Sequence, residues 1–459
     1  MSLTPDTAAP GAAAATADVA ADFAAAAGLV RRRFRVIVLV LLAILAYLTY
    51  AFVALDVPGL VASARPERAV LLGVDSIAHK VHVEKDLRRG GIEIAVEGER
   101  TATYDDGETP PWATPLPGED NLRIDLGAGT VVQIVGRGFT MTVPGYGTVG
   151  AEVDAQGTVS WTLPDGAAPP DWARLNERKV EYRPALFRRV QITRTRIEVH
   201  RYFYGWENFF FPFGHELRAH STAALVGLAF SGERLDPERS NAGYMLHTFL
   251  TNPEWQHGHV FVALLETVLM AVLGTMTAVL VGLPLAFLAA RNFTPSMALR
   301  GVVRRFMDFV RGVDALIWSL IFIRAFGLGP LTGALAIAVT DTGTLGKLFS
   351  EALENVDNRQ IEGVRATGAG QVQRYRFGVI PQIMPVFISQ GLYYLESNMR
   401  SATVIGALGA GGIGLVLVET LRTSRDWENT FYIIILTIAL VVAIDQLSGW
   451  LRRRLIEGT

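Results

Sequence analysis

The chain has no cysteine, which excludes disulfides, thiolate zinc sites and iron–sulfur ligation. It is short of charge: only 19% of its 459 residues are Asp, Glu, Lys or Arg, and the net charge is −2. No basic surplus speaks for nucleic acid. It has no G-x-x-x-x-G-K-[ST] loop, because Gly346-Lys347 runs into Leu348 and position 341 is Asp; a chain without that phosphate cradle is not expected to hydrolyse ATP itself. H-E-x-x-H and G-x-S-x-G are also missing, and no pair of carboxylates is spaced for acid–base work. His247, His257 and His259 fall close together, but not at the spacing of a compact metal site. They read as interfacial or solvent-facing, and neither a catalytic residue nor a metal is expected.

What the chain has is apolar length. Half of it is hydrophobic and the mean hydropathy is +0.29, values of a membrane protein with a soluble part. Residues 1–33 begin with an Ala-, Thr- and Pro-rich stretch to Gly28 without apolar periodicity, expected to be a disordered tail. Arg31, Arg32, Arg33 and Arg35 then border a first apolar run, Val36–Leu55. A signal peptide would have a shorter apolar core and a clear cleavage site, so a retained transmembrane helix over 34–55 is the reading. Five more runs follow: Val260–Ala290, Phe309–Phe326, Leu331–Phe349, Ile383–Leu408 and Asn429–Leu447. Each approaches the roughly 20 residues that about 30 Å of hydrocarbon requires. With both termini cytoplasmic, these six spans put Arg291, Arg300, Arg304, Arg305, Lys347, Arg365, Arg374, Arg376 and Arg452–Arg454 on the inner side, as the positive-inside rule asks.

Residues 56–252 are different. From Lys80 to His200 short alternating runs such as KVHVEKDL, GIEIAVEG and TVVQIVG are separated by Asp105-Asp106-Gly107, Pro117-Gly118, Gly145-Tyr146-Gly147 and Pro164-Asp165-Gly166. Period-two alternation between turn residues predicts antiparallel strands with one buried face, a β-rich domain on the outer side. Its strands carry many arginines, but a scattered basic face is ordinarily solvated, and a spacer or docking surface is the simpler role. The aromatic stretch Tyr202–Phe213 predicts an interfacial segment.

The stretch Ser350–Pro385, SEALENVDNRQIEGVRATGAGQVQRYRFGVIPQIMP, lies between two apolar spans yet is polar and basic. Leu353, Val356, Ile361 and Val364 form one apolar stripe. Gly368 and Gly370 break the run, a second short helix is expected over Val372–Val379, and Pro381 suits the first turn of the next helix. A helix–glycine–helix with one greasy face suits docking on a partner protein; an amphipathic loop on the membrane surface is the plainer alternative. Gly409, Gly411, Gly412 and Gly414 spell G-x-G-x-x-G, but a dinucleotide site needs a strand before and a helix after it. Between two apolar spans, they predict a re-entrant turn near an outer gate. Charged residues within spans are costly and so are candidates for the translocation pathway. Arg311 and Asp314 are expected to pair, as are Glu396 and Arg400 at i, i+4; Arg324 has no nearby acid; Asp341 and Asp445 are expected to join helices by hydrogen bonds.

The order Glu362, Gly368, Pro381 resembles the EAA loop of binding-protein-dependent ABC importers, with Gly363 and Val364 where that family has two alanines. RGVDALIWSLIFIRAFGLGPLTGALAIA (Arg311–Ala338), EGVRATGAG (Glu362–Gly370), GVIPQIMP (Gly378–Pro385) and SATVIGALGAGGIG (Ser401–Gly414) are similar to the phosphonate-importer permeases of the PhnE type. Asp314 stands where that branch usually has proline, and Thr340-Asp341 where a histidine is common. The resemblance covers about the last 200 residues, 253–459. It implies an all-α polytopic fold of six transmembrane helices, the type I ABC importer permease fold, here with an inserted extracytoplasmic β-rich domain. It further implies a bacterial inner-membrane protein without a cofactor of its own. Two ABC ATPase subunits carrying ATP-Mg, a second permease subunit forming a homodimer, and an extracytoplasmic phosphonate-binding protein are the implied partners. Glu362, Gly363, Arg365, Ala366, Gly368 and Pro381, within a loop 350–381, would couple to the ATPase. A permease for methionine or phosphate, and a membrane-anchored interaction protein working through its β domain, are the other readings.

Overall fold

The computed structural model describes residues 10–64, 66–97, 102–104, 109–230, 234–423 and 427–457; the expected turn at Asp105-Asp106-Gly107 falls outside them. The chain divides into two compact units, Met1–Val70 and Leu71–Thr459.

In the first unit α1 (Pro10–Ala54) is a single helix. The tail expected to be disordered is therefore helical from Pro10 onward. Alanine is the strongest helix former, and the adjoining apolar helix supplies the nucleus that a short segment lacks. Residues 32–54 have a mean hydropathy of 2.8, enough in length and composition to cross a membrane. Asp56 caps α2 (Val57–Ser63), its Oδ1 accepting from Gly59 N at 3.2 Å, and α3 (Pro66–Asp75) leads into the second unit. The first strand thus follows two short helices and begins at Ala78, two residues before the expected start of the alternating runs at Lys80.

The β region consists of β1 (Ala78–Asp86), β2 (Ile92–Val96), β3 (Ala113–Pro115), β4 (Leu122–Asp125), β5 (Val131–Val135), β6 (Gly138–Val143), β7 (Gly147–Val153), β8 (Val159–Thr162), β9 (Ala173–Asn176), β10 (Lys179–Ala185), β11 (Arg188–Thr193) and β12 (Arg196–Tyr204). They form two six-stranded sheets in the orders β2-β1-β12-β11-β10-β9 and β3-β4-β5-β6-β7-β8, antiparallel throughout. Val81, Val83, Ile94, Val190, Ile197 and Val199 of one sheet share a core with Ile124, Val132, Ile134, Met141 and Val149 of the other. This is a sandwich, in which each strand turns alternate residues inward. Tyr182 joins the sheets, its hydroxyl donating to Gly150 O at 3.1 Å in the buried interior.

The helical core follows: α4 (Thr222–Ala229), α5 (Asn241–Leu250), α6 (His257–Ala289), α7 (Met297–Gly312), α8 (Ala315–Phe326), α9 (Pro330–Glu354), α10 (Asn358–Ala366), α11 (Gln371–Arg374), α12 (Ile380–Ile405), α13 (Gly412–Thr423) and α14 (Trp427–Arg452). The seam between α6 and α9 is lined by small residues. A Cβ on Gly274 would meet Ile337 Cγ2 at 2.7 Å and Ala334 O at 3.0 Å; one on Gly282 would meet Gly346 N at 3.2 Å. Small residues let two backbones close to this range, where dispersion contacts and not hydrophobicity hold helices together in lipid.

Among the described residues three helices are long and apolar enough to cross a membrane, or four if the bent pair Gln371–Ala410 and Gly412–Arg422, meeting at 58°, is one span. The expected six are not reached. The run Phe309–Phe326 is broken: Asp314, non-helical at φ −61° and ψ 148°, accepts from Leu316 N at 2.8 Å and caps a new helix of 12 residues. The 25 residues of α9 would reach about 37 Å, but Asp341, Lys347 and its threonines keep it from being apolar enough; more than half of it is buried among the other helices.

Candidate functional site

The polar stretch after α9 folds as a helical hairpin at that helix's C-terminal end. Ser350–Glu354 still belongs to α9, and Leu353 and Val356 are buried in a cluster with Phe349, Val379, Ile383 and Phe387. Asp357 caps α10, its Oδ1 accepting from Arg359 N at 2.9 Å. Ile361 and Val364 are half-buried and lie over Gly378, where an added Cβ would meet Ile361 Cα at 3.3 Å. Gly368 has φ +82°, the left-handed conformation that reverses the chain. The apolar stripe thus faces the protein's own helices, and Glu362, Gly363, Arg365, Ala366, Gly368 and Pro381 are all exposed. Gln382 closes the hairpin: its Oε1 accepts from Asp357 N at 3.0 Å, and its Nε2 donates to Gly378 O at 2.6 Å.

The second short helix differs from expectation. After α11 the chain continues through a π-helical turn, Tyr375–Val379, straight into α12. Pro381 stands in the first turn of α12, as expected, but the helix before it runs on without a break. The wider turn absorbs the missing proline N–H and keeps the two segments in line.

Charge concentrates beside this hairpin. Glu354 Oε1 accepts from Arg291 N at 2.8 Å, Arg300 Nη2 at 3.0 Å and Arg304 Nη2 at 2.9 Å. Asp308 takes Lys347 at 3.1 Å and Arg311 at 3.4 Å. The expected Arg311–Asp314 pair is not formed, because Asp314 is spent as a helix cap and Asp308 lies one turn before Arg311 on α7. The Glu396–Arg400 pair is present at 3.3 Å. Arg324 is exposed in the last turn of α8, where a cation complements the helix dipole.

At the core's other end the glycine run makes the bend between α12 and α13. Gly409, Gly411 and Gly412 have φ +110°, +83° and +70°, and a Cβ on Gly414 would overlap Thr403 O at 1.9 Å. The expected turn and close backbone approach are both there, and Gly412–Thr423 continues from the turn as a helix. Two side chains of α6 cap it: Glu266 Oε2 accepts from Gly412 N and Thr267 Oγ1 from Ile413 N, both at 2.9 Å. Of the histidines, His257 is fully buried instead of interfacial. It bonds Tyr432 OH at 2.9 Å and Phe209 O at 2.7 Å, and stacks on Phe249. Trp206, Phe209 and Trp255 join this cluster, so the aromatic stretch packs on the ends of α6 and α14.

Mid-core, Asn398 Nδ2 donates to Asp341 Oδ2 at 2.5 Å and Thr275 Oγ1 at 2.8 Å, joining α12, α9 and α6. Asp341 does join helices, as expected; Asp445 is exposed. Sequence reasoning missed Thr275, Asn398, Glu266 and Glu354. Glu266 had a signal, a lone carboxylate in an apolar run; Asn398 and Thr275 had none.

Residues 282–457 match the family described as the binding-protein-dependent transport system inner membrane component. The phosphite transport system permease protein PtxC of Stutzerimonas stutzeri is 40% identical over 190 residues, 41% of this chain and 69% of that protein. The chain belongs to this permease family, in its PhnE-type branch. The phosphate-import permease protein PhnE of Mycolicibacterium smegmatis is 38% identical over 197 residues, 43% of this chain but only 37% of the relative's length. The matches cover the permease core, whose α9–α12 hairpin is the stretch that drew the family resemblance. The family is one of transport permeases, not of enzymes.

Proposed function

We propose that this chain is the membrane subunit of a type I ABC importer, two copies of which form the pathway for a phosphonate or related phosphorus oxyanion. An extracytoplasmic binding protein delivers the solute. Two ATPases with ATP-Mg act from the cytoplasmic side of the bacterial inner membrane, where both termini lie. The observation carrying this is the hairpin after α9: Leu353 and Val356 anchor it in the core while Glu362, Gly363, Arg365, Ala366 and Gly368 stand exposed. An exposed motif on a buried anchor is suited to take a push from a partner and pass it to α9 and α12. Arg324, Arg311, Glu396 and Arg400 are candidate pathway residues; Asp314 is assigned to its capping role; and the Gly409–Gly414 bend forms the outer gate. Glu362→Arg should abolish ATP-coupled uptake of labelled phosphonate while membrane insertion stays normal. Undiminished uptake in that variant would refute the assignment.

A further inference from the structure

The sheet β2-β1-β12-β11 has one face in the sandwich core. Its other face carries two polar rows set by the strand register. Glu93, Glu84, Glu198 and Gln191 lie across the strands in one row, and His82, His200 and Arg189 in the next. In an antiparallel sheet such a face normally meets water. Here it is covered: Gln191, Glu198 and His200 are 8%, 9% and 4% exposed. Between it and the ends of α6, α13 and α14, where Glu254, His259 and Glu419 stand, is a chamber of about 1040 Å³. That is at the upper end of the roughly 300–1000 Å³ of pockets that enclose small organic ligands.

We propose that this chamber is a binding site for an organic cation carrying primary ammonium groups. Among the described residues its wall holds six carboxylates, Glu84, Glu93, Glu97, Glu198, Glu254 and Glu419, against two guanidiniums, Arg189 and Arg196. Arg196 is occupied by Glu84 at 3.3 Å and Glu198 at 2.7 Å. Arg189 is turned to Glu181, outside the wall, at 3.1 Å. Burial, then the nearby Arg189 and His82, hold the His200 imidazole well below its usual range, so that ring adds no positive charge at neutral pH. Carboxylates outnumber guanidiniums among the described lining residues, and such a wall favours a cation over a bare oxyanion.

The second observation is a hydrogen-bond vacancy. Glu97 Oε2, His200 Nδ1 and His82 Nδ1 are enclosed and without a hydrogen-bond partner; Glu97 Oε2 lies 3.5 Å from His200 Nε2 without a hydrogen bond between them. A buried acceptor left unmet is costly, and an ammonium N–H meets it as a metal-free donor. Among the described residues no His, Asp or Glu group is arranged to hold a metal ion. Acids stand on both walls, Glu93 on the sheet and Glu419 on the helix ends, which suits a solute with an ammonium at each end.

The test is titration calorimetry on the full chain in lipid nanodiscs, without ATPase. The ligands are 1,4-diaminobutane, tetramethylammonium and inorganic phosphate. Diaminobutane should bind saturably and at least about tenfold more tightly than tetramethylammonium, which has the charge but no N–H, and phosphate should not bind. Glu93→Gln with Glu419→Gln, both at exposed positions, should weaken diaminobutane by about tenfold or more. Thermal unfolding checks that this variant is folded; if it is not, the ligand preference of the native chain decides alone. Phosphate binding as tightly as diaminobutane, equal affinity for the two cations, or no saturation below about 10 mM overturns the proposal. Because no transport is measured, failed phosphonate uptake would sink the preceding reading and leave this one standing.

Discussion

Gly368 offers a sharp test of the coupling hairpin, because the structure separates backbone conformation from side-chain space there. Its φ is +82°, and a Cβ added to it would meet nothing within 4 Å. Alanine at 368 therefore adds no clash, only left-handed strain of about 1–2 kcal/mol. Gly363 also has open space around its Cβ position but sits in the interior of α10. Alanine at 363 should favour that helix by about 0.5–1 kcal/mol. The two substitutions add the same methyl group to the same exposed hairpin with opposite expected signs. One to two kcal/mol is a factor of about 5–30 in the population of the native turn. Uptake of labelled phosphonate by cells carrying the whole importer should fall by that order for Gly368→Ala and stay at or above the native level for Gly363→Ala. Gly368→Asn, which tolerates left-handed backbone, should fall in between. Membrane abundance of each variant is measured alongside. Equal loss at both positions would refute the reasoning, since the partner would then be sensing added bulk and not backbone shape. No loss at 368 would mean that the turn contributes nothing to coupling.

Other sites make separate predictions. Asn398→Leu removes the donor that Asp341 and Thr275 share, and should destabilise the core by about 1–3 kcal/mol; adding Asp341→Leu should restore part of the melting temperature in nanodiscs. Glu266→Gln keeps an acceptor for Gly412 N and should melt within a degree or two of the native chain, by an order-of-magnitude estimate, whereas Glu266→Ala should lose about 1 kcal/mol of cap energy in the same measurement. His200 predicts a pH dependence. It is neutral when folded and takes a proton near 6.5 when unfolded, so its contribution is intact above that pH and is lost as the pH falls below it. The slope is about 1.4 kcal/mol per pH unit while only the unfolded chain holds the proton. Thermal unfolding of the β region followed by circular dichroism should show this loss, and His200→Gln should flatten it; an unaltered slope would show that another group titrates.

The sequence made some of this fold legible for identifiable reasons. β4, β5 and β6 alternate buried and exposed residues over most of their length, and the strands lie where the alternation put them. β3 and β9 are too short for alternation to register, and their pairing with β4 and β10 defines them. The coupling hairpin was visible because its apolar spacing is local. The identity of what its stripe touches was not, since Gly378 and Phe349 come from other helices. Hydropathy could not count the spans: α9 is central by packing, yet it is too polar to register, while the Phe309–Phe326 run is apolar but broken by a cap. The chamber was beyond sequence reasoning, because its walls come from strands and helix ends hundreds of positions apart.

On the proposed coupling, the placement of ion pairs gives a push on the small hairpin a route to the large helices. Glu354, at the last turn of α9, holds Arg300 and Arg304 of α7, and Asp308 of α7 holds Lys347 of α9. α7 and α9 are thus bonded at two levels, which suits them to move together. Gln382 joins the backbone just after α9 to the start of α12, so displacement of α10 reaches both sides of the hairpin together. Farther along, Asn398 of α12 grips Asp341 of α9 and Thr275 of α6. A tilt of α12 about that buried contact would swing the Gly409–Gly414 bend at its other end. That bend has glycines at positive φ, so it can change angle at less cost than a continuous helix. On the proposed coupling, the polar residues that make this core poor hydrophobic material are what make it a lever: the hairpin takes the force, the buried triad is the fulcrum, and the bend is where the motion arrives.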